Sequence, residues 1–358
     1  MSVRILIGDC RETMRTLPDC SVDSVVCDPP YHLTSIVKRF GAVNAAPAKV
    51  GKTGAYARAS KGFMGQTWDG GDVAFQPDTW VEVLRVLKPG GHLVAFSGSR
   101  TYHRMAVAIE DAGFEVRDML SWIYGSGFPK SHNAGDGWGT ALKPAHEPIC
   151  LARKRLIGTV AANILAHGAG AINIDGCRIE AEEDRARPER TASTILGGNP
   201  LGRWPANICH DGSDEVLAGF PETTSGVLKA GAIRSVANRI YGEGMAAAGI
   251  AATEYDTGGD SGSAARFFYC AKTTTEERGE GNNHPTVKPQ ALMQWLCRLV
   301  TPKGGTVLDP FMGSGSTGIA ADAEQFNFIG CELSPDYAAI AERRIRNAAG
   351  MFADVRAA

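Results

Sequence analysis

The chain has 358 residues, of which 44% are hydrophobic and 21% charged, and its net charge is −2. This length is sufficient for one sizeable hydrophobic core, with residues left over for a second module. The composition is that of a soluble globular protein, and no apolar run approaches the roughly 18–20 residues of a membrane span. The overall charge does not by itself indicate a phosphate-binding protein.

The cysteines and the amino terminus indicate a cytoplasmic protein. The nine cysteines are odd in number, and none of them forms a Cys-x-x-Cys pair, so neither a disulfide framework nor a zinc site is predicted. Cys209-His210 lacks a second Cys/His pair nearby, and no metal is expected. The first residues lack the basic lead and the cleavage site of a signal peptide.

Residues 1–152 alternate between short apolar runs and stretches with helical spacing. The predicted strands are Val3–Ile7, Asp23–Cys27, His92–Phe96, Phe114–Ile123 and Glu147–Ala152. The predicted helices are Arg11–Thr16, Thr79–Leu87 and 101–112. This alternation predicts an α/β fold, in which a mostly parallel sheet is covered by helices.

A long loop rich in glycine, alanine and lysine interrupts this first block. No acidic residue occurs between Asp28 and Asp69, whereas six basic residues do. A basic loop over residues 32–68 suits contact with a phosphate backbone, and it is equally well explained as a solvated loop.

The remaining chain divides into an irregular segment and a second α/β block. Residues 153–270 have weak periodicity and are rich in Gly, Ala, Asn, Pro and Thr, which indicates an inserted module. The α/β pattern returns in residues 271–358. Its predicted elements are helix Pro289–Val300, strand Thr306–Leu308, a helix ending near Ala323, strand Phe326–Cys331 and helix Ser334–Asn347.

A glycine-rich turn in the last block predicts a nucleotide-like ligand. A buried strand, a Gly-x-Gly turn and a helix are the first unit of nucleotide-binding α/β folds. The next strand ends in Glu332, 19 residues after Gly313, and an acid at about this distance commonly binds ribose hydroxyls. Asp309 would repel a pyrophosphate but attract an ammonium group, and the P-loop lysine is missing. S-adenosylmethionine has a ribose, an amino group, a sulfonium and no phosphate.

The sequence Asp28-Pro29-Pro30-Tyr31 follows a predicted buried strand. Two consecutive prolines fix the backbone and remove two N–H donors, which leaves the Asp28 carboxylate and the Pro29 carbonyl as acceptors. An exocyclic amine of a base is a poor nucleophile, because its lone pair is delocalised into the ring. Two acceptors for its hydrogens favour the nucleophilic geometry, and Tyr31 can stack on a base that has left its helix.

Together these motifs resemble the permuted β-group of amino-methylating DNA methyltransferases, in which the catalytic motif precedes the cofactor loop. Asp28-Pro29-Pro30-Tyr31 resembles their catalytic motif, and 309–317 resembles their cofactor loop. The segment 284–289 resembles the one that closes over the methionine end of the cofactor. Gly8-Asp9 resembles the site that contacts the cofactor's adenine. The resemblance covers about 1–152 and 282–346.

The resemblance implies a Rossmann-like, S-adenosylmethionine-dependent methyltransferase fold with helices on both faces of the sheet. It divides the chain into a catalytic half (1–152), a target-recognition insertion (153–270) and a cofactor-binding half (271–358). The implied catalytic residues are Asp28, Pro29, Pro30 and Tyr31. The implied cofactor-binding residues are Asp9, Asp28, His284, Thr286, Lys288, Asp309, Phe311, Gly313, Ser314, Gly315, Ser316, Thr317 and Glu332.

The implied reaction is methyl transfer to N6 of an adenine flipped out of duplex DNA. Asp at the first motif position resembles the adenine-N6 members, whereas Ser is more typical of the cytosine-N4 members. Cytosine-N4 methylation therefore stays open, as does a catalytically silent DNA-binding relative. Enzymes that methylate RNA or a protein glutamine typically have Asn in place of Asp28. Cytosine-C5 methylation is disfavoured, since the sequence has no Pro-Cys dipeptide.

Double-stranded DNA is the implied partner, and no membrane is. The expected DNA contacts are Lys38, Arg39 and Lys52 in the basic loop and Arg203, Trp204, Asn207, Arg234, Asn238 and Arg239 in the middle segment. Arg and Asn suit readout of base edges, although solvated loops contain them equally often. The sequence does not give the recognition site, and it leaves a homodimer and a restriction partner open.

Overall fold

The computed structural model describes residues 1–31, 72–127, 133–180, 202–225, 260–271, 287–349 and 354–357. The strands are β1 (Ser2–Ile7), β2 (Val22–Cys27), β3 (Leu87–Phe96), β4 (Glu115–Ile123), β5 (Asn133–Gly135), β6 (Trp138–Gly139), β7 (His146–Arg153), β8 (Ile208–His210), β9 (Glu222–Ser225), β10 (Asp260–Ser263), β11 (Tyr269–Cys270), β12 (Thr306–Asp309), β13 (Asn327–Glu332) and β14 (Asp354–Ala357). The helices are α1 (Cys10–Arg15), α2 (Pro77–Val86), α3 (Tyr102–Asp111), α4 (Val160–His167), α5 (Asp214–Leu217), α6 (Gln290–Val300), α7 (Ser316–Ala323) and α8 (Pro335–Ala349). None of the helices in these residues is long and apolar enough to cross a membrane.

Ten strands form one sheet in the order β11-β8-β4-β7-β3-β2-β12-β13-β1-β14. Strand β7 runs antiparallel to both of its neighbours, β3 and β4, and the other pairs within this sheet are parallel. The predicted α/β fold with a mostly parallel sheet is confirmed.

Strand register brings the two sequence halves together at the side of the sheet where the parallel strands end, here called the carboxyl side. Strand β12 lies between β2 and β13, and Leu308 pairs with Val25. Asp28, Asp309 and Glu332 therefore end neighbouring strands. Because β7 is antiparallel, its first residues also lie on the carboxyl side, where His146 pairs with Ile123.

Two apolar layers pack on opposite faces of the sheet, because successive side chains of a strand point to opposite faces. In β3, Phe96 joins the layer that contains Trp295 of α6, whereas Leu93 joins the layer that contains Trp80 of α2. Each large side chain that is fully buried stabilises the fold by about 1.5–3 kcal/mol. The layers fix the strand ends that carry the polar motifs.

Two features differ from the expected elements. Strand β3 begins at Leu87, where the predicted helix Thr79–Leu87 ends, and runs through Lys88–Gly91 into the predicted strand His92–Phe96. Gly90 has a φ of +78° and leaves no room for a side chain beside Asn163 and Gly170, so this segment passes close under α4. In the middle segment, β8 and β11 extend the main sheet beside β4.

Candidate active site

Tyr31 is held just beyond the end of β2. Its carbonyl oxygen accepts a hydrogen bond of 3.0 Å from Oγ1 of Thr101. Its ring lies against Gly98, which follows β3, and a Cβ at Gly98 would lie 3.2 Å from Cδ2 of Tyr31. The expected Asp28–Tyr31 motif thus lies at the carboxyl side, between β2 and the loop after β3.

Lys288 joins this motif to two other parts of the chain. Its Nζ lies 3.0 Å from Oδ2 of Asp28 and 2.9 Å from Oε2 of Glu147. It also donates a hydrogen bond of 3.0 Å to Oη of Tyr31, which in turn donates one of 3.0 Å to Oε2 of Glu147. We call Asp28, Tyr31, Glu147 and Lys288 the acceptor cluster. Lys288 belongs to the segment expected to close over the cofactor, and here it contacts the catalytic motif.

The acceptor cluster is largely buried, and its charged groups contact one another directly. Lys288 is 8% exposed, and its Nζ lies 4.8 Å from the centre of the Phe96 ring. Burial alone would lower the pKa of Lys288, but the carboxylates of Asp28 and Glu147 outweigh it and raise that pKa above its usual range. Burial and the same two carboxylates raise the pKa of Tyr31. Lys288 is therefore charged and Tyr31 neutral at physiological pH.

The second carboxylate oxygen of Asp28 has a different environment. Oδ1 is buried and has no hydrogen-bond partner among the described residues. A buried acceptor without a donor costs about 1–3 kcal/mol. An N–H group brought to this oxygen would remove that cost, so Oδ1 suits a ligand that arrives with a hydrogen to donate.

Asp309, at the end of β12, organises the glycine-rich loop. Its Oδ1 accepts from the Phe311 amide at 2.9 Å, and its Oδ2 accepts from Oγ1 of Thr317 at 2.5 Å. Asp309 is 2% exposed, and burial raises its pKa to about 7 despite these two hydrogen bonds. Both carboxyl oxygens of Asp309 are thus engaged by the glycine-rich loop itself.

Glu332 and Asp9 end the neighbouring strands β13 and β1. Glu332 accepts from the amides of Gly313 at 2.9 Å and Ser334 at 2.8 Å, and burial raises its pKa. The Gly8 amide donates to the Glu332 carbonyl at 2.9 Å. Asp9 caps α1 and forms a 2.7 Å ion pair with Arg11. Glu332 therefore contacts the glycine-rich loop directly, whereas Asp9 lies one strand further along the sheet, at the start of α1.

Helix α8 supports the loop from behind. Gly315 has a φ of +83°, and a Cβ there would lie 3.0 Å from Cβ of Ala341, so both conformation and space favour glycine. Arg344, which is 7% exposed, donates to the carbonyl and to Oγ of Ser314. The sequence did not identify Arg344, since an arginine on an amphipathic helix is usually solvated.

These side chains fit S-adenosylmethionine better than a phosphate-containing nucleotide. Asp309 and Glu332 place two carboxyl groups against the loop, and carboxylates suit hydroxyl and positively charged groups but repel phosphates. The pairing of β2 with β12 places Asp28 and Asp309 at adjacent strand ends, so a ligand at the loop lies next to the acceptor cluster.

The expected DNA contacts are only partly described. Asn207 and Trp204 precede β8, toward the amino ends of the parallel strands, and the Asn207 amide donates to Asp118 at 3.2 Å. Trp204 is 66% exposed, and the Arg178 guanidinium lies 5.3 Å from its ring centre. Arg203 donates to the backbone oxygens of Glu180 and Arg266. Lys38, Arg39, Lys52, Arg234, Asn238, Arg239, His284 and Thr286 lie outside the described residues.

Comparison with known proteins finds relatives among DNA methyltransferases. The Type II methyltransferase M.HindIII of Haemophilus influenzae is 27% identical over 289 residues, which are 74% of this chain and 68% of that protein. The DNA adenine methyltransferase YhdJ of Escherichia coli is 42% identical over 66 residues, which are 18% of this chain and 22% of that protein.

Among solved structures, the PvuII DNA methyltransferase (cytosine-N4-specific) has a TM-score of 0.51 and 16% identity, over 98% of this chain and 92% of that one. This likeness concerns the fold. The sequence profile of the N6_N4_Mtase family, described as DNA methylase, matches residues 22–343. Because that match includes both the Asp28 motif and the glycine-rich loop, we conclude that this chain belongs to the N6_N4_Mtase family of DNA methylases, which take their methyl group from S-adenosylmethionine.

Proposed function

We propose that this DNA methylase transfers the methyl group of S-adenosylmethionine to N6 of an adenine that is flipped out of duplex DNA. The observation that carries the proposal is the buried Oδ1 of Asp28, which has no hydrogen-bond partner within the described part of the chain and lies at the strand end next to the glycine-rich loop. An exocyclic amine supplies the N–H that this oxygen lacks. A base inside a duplex cannot reach a buried carboxylate, which is why the target base has to leave the stack.

The chain's own residues orient the nucleophile and receive its proton. Oδ1 of Asp28 and the carbonyl of Pro29 accept the two amine hydrogens, so that the nitrogen lone pair points away from them. When bound, S-adenosylmethionine supplies an electrophilic methyl group on its sulfonium. The nitrogen forms a bond to that methyl as the carbon–sulfur bond breaks, and Asp28 takes the proton that the nitrogen then loses. Catalysis consists mainly of positioning and exclusion of water.

We assign cofactor contacts to the residues around the glycine-rich loop. Glu332 binds the ribose hydroxyls, Asp9 lies at the adenine end, and Asp309 with the loop lies at the methionine end. The other members of the set are Asp28, His284, Thr286, Lys288, Phe311, Gly313, Ser314, Gly315, Ser316 and Thr317. The ends of β1 and β13 support this assignment, since Ile7 pairs with Glu332 and places Asp9 beside it.

Two observations favour adenine over cytosine. The motif begins with Asp28 rather than Ser, and a 66-residue segment is 42% identical to a protein described as a DNA adenine methyltransferase. Cytosine-N4 methylation is the second candidate, because the PvuII enzyme with this fold is described as cytosine-N4-specific. Both reactions use the same acceptors, so the choice concerns the pocket for the flipped base.

The remaining assignments concern organisation and partners. We propose that residues 153–270 recognise the target, with DNA contacts from that segment and from the basic loop at 32–68. The division at 152 and 270 follows the sequence motifs, and β8 and β11 show that part of the insertion continues the sheet. We also propose a cytoplasmic location, from the cysteine pattern and the amino-terminal residues. Action within a restriction-modification system is proposed because the relative M.HindIII is described as a Type II methyltransferase.

Expression in a bacterial host without DNA methyltransferases of its own tests the base assignment. Single-molecule sequencing of the host DNA should show N6-methyladenine at one short recognition sequence, and a host that expresses the D28N variant should show none. N4-methylcytosine at a recognition sequence would move the assignment to the second candidate. Unmodified DNA from cells that contain the folded wild-type protein would contradict both.

A further inference from the structure

Glu147 is the member of the acceptor cluster for which neither the sequence motifs nor the proposed reaction provides a role. It is the second residue of β7, the antiparallel strand, and its side chain is 21% exposed. Its Oε2 accepts from both Nζ of Lys288 and Oη of Tyr31. A carboxylate in this position holds two of the groups that surround Asp28.

The three N–H donors of Lys288 explain why the position of the Glu147 carboxylate affects Asp28. An ammonium group has three donors, and the cluster offers them three acceptors, in Asp28, Glu147 and Tyr31. Lys288 therefore contacts Asp28 through Oδ2, while Oδ1 has no partner among the described residues. If Glu147 were neutral, the ammonium would be drawn toward the one remaining carboxylate and would compete for Oδ1.

We propose that Glu147 is a positioning residue for methyl transfer, which acts by holding Lys288 and Tyr31 so that Oδ1 of Asp28 stays available to the target amine. The proposal rests on the proposed function, and within it Glu147 acts through its contacts with Lys288 and Tyr31 rather than on the reacting atoms. A purely structural ion pair would predict a lower Tm with an unchanged rate of transfer at saturating cofactor, so the transfer rate distinguishes the two roles.

Strands β4 and β7 supply a matched control for this test. At their other ends, Glu115 forms a 2.7 Å ion pair with Arg153, and the side chains are 35% and 12% exposed. Glu115→Gln removes a carboxylate from the same pair of strands, far from the carboxyl side. It should lower stability slightly and leave the rate of methyl transfer unchanged.

The experiment compares wild type with Glu147→Gln, Lys288→Met, their double variant and Glu115→Gln. Single-turnover methylation of duplex DNA is measured at saturating S-adenosylmethionine, with cofactor Kd by calorimetry and Tm by thermal unfolding. Glu147→Gln should slow the transfer about 10- to 100-fold, with a Kd close to that of wild type and a modest decrease in Tm, because the Gln oxygen still accepts a hydrogen bond from Lys288. Because Glu147 acts through Lys288, the double variant should match Lys288→Met within about twofold.

Other results would overturn the proposal. A wild-type rate in Glu147→Gln would do so, as would a slow rate accompanied by equal losses of cofactor affinity and Tm. Effects of the two single substitutions that multiply in the double variant would show that Glu147 and Lys288 act independently. If the wild-type protein transfers no methyl group to DNA, the proposed function fails, and the inference fails with it; a fast Glu147→Gln variant removes the inference alone.

Discussion

Asp28→Asn is expected to reduce methyl transfer on the order of 10³-fold, while the Kd for S-adenosylmethionine stays close to that of wild type. The ammonium of Lys288 requires an acceptor at the Oδ2 position, which it contacts at 3.0 Å. The amide oxygen of the substituted side chain would therefore face Lys288, and its NH₂ group would replace Oδ1. Two donors would then oppose each other where the target amine should bind.

The measurement is a single-turnover rate together with calorimetric binding of S-adenosylmethionine. Asp23→Asn is the matched control, since Asp23 lies at the other end of β2, where it accepts from Nζ of Lys88 at 2.6 Å and from the Thr306 amide at 2.8 Å. This control should lose about 1–3 kcal/mol of stability and keep its rate. Equal loss of cofactor binding and transfer in Asp28→Asn would contradict the role assigned to Asp28.

Glu332→Gln is expected to weaken cofactor binding by about 2–3 kcal/mol, the value of hydrogen bonds to a charged group, which raises Kd about 30- to 150-fold. Both carboxylate oxygens already accept backbone amides, from Gly313 and Ser334. A Gln side chain presents an NH₂ group to one of these amides, so it disturbs the loop and removes an acceptor for the ribose. At saturating cofactor the transfer rate should fall much less, because Glu332 does not contact the target amine.

Calorimetry and transfer rates over a range of cofactor concentrations separate these two effects. Glu324→Gln serves as a control, because Glu324 pairs with Arg298 at 2.5 Å and follows the end of α7 that is opposite to the glycine-rich loop. It should bind the cofactor normally. A Glu332→Gln variant with wild-type Kd would show that the cofactor ribose lies elsewhere.

The sequence was sufficient to predict the α/β fold and the strands at whose ends the motif residues lie. The apolar runs before Asp28 and Asp309 are short and continuous, as buried parallel strands are. Since the Asp28 motif and the glycine-rich loop are expected to serve one reaction, the strands before them should be neighbours, and β2 and β12 do pair. Glu332 was singled out by its distance in sequence from Gly313, and in the structure its side chain accepts a hydrogen bond of 2.9 Å from the Gly313 amide.

Strand direction explains what the sequence missed. A strand at Glu147–Ala152 was expected, but an apolar run has the same pattern in either direction. Glu147 reaches the carboxyl side only because β7 is antiparallel. Likewise, the contact of Lys288 with Asp28 depends on the path of the chain before α6, which no local pattern encodes.

The most direct test of the central claim is to incubate the purified protein with mixed-sequence duplex DNA and S-adenosylmethionine that carries a trideuterated methyl group, and then to analyse the digested nucleosides by mass spectrometry. We expect the label on N6 of adenine. Label on N4 of cytosine would keep the amine-transfer chemistry and change the base. Label on carbon-5 of cytosine, or no labelled nucleoside from protein that binds the cofactor, would contradict methyl transfer to an exocyclic amine held by Asp28.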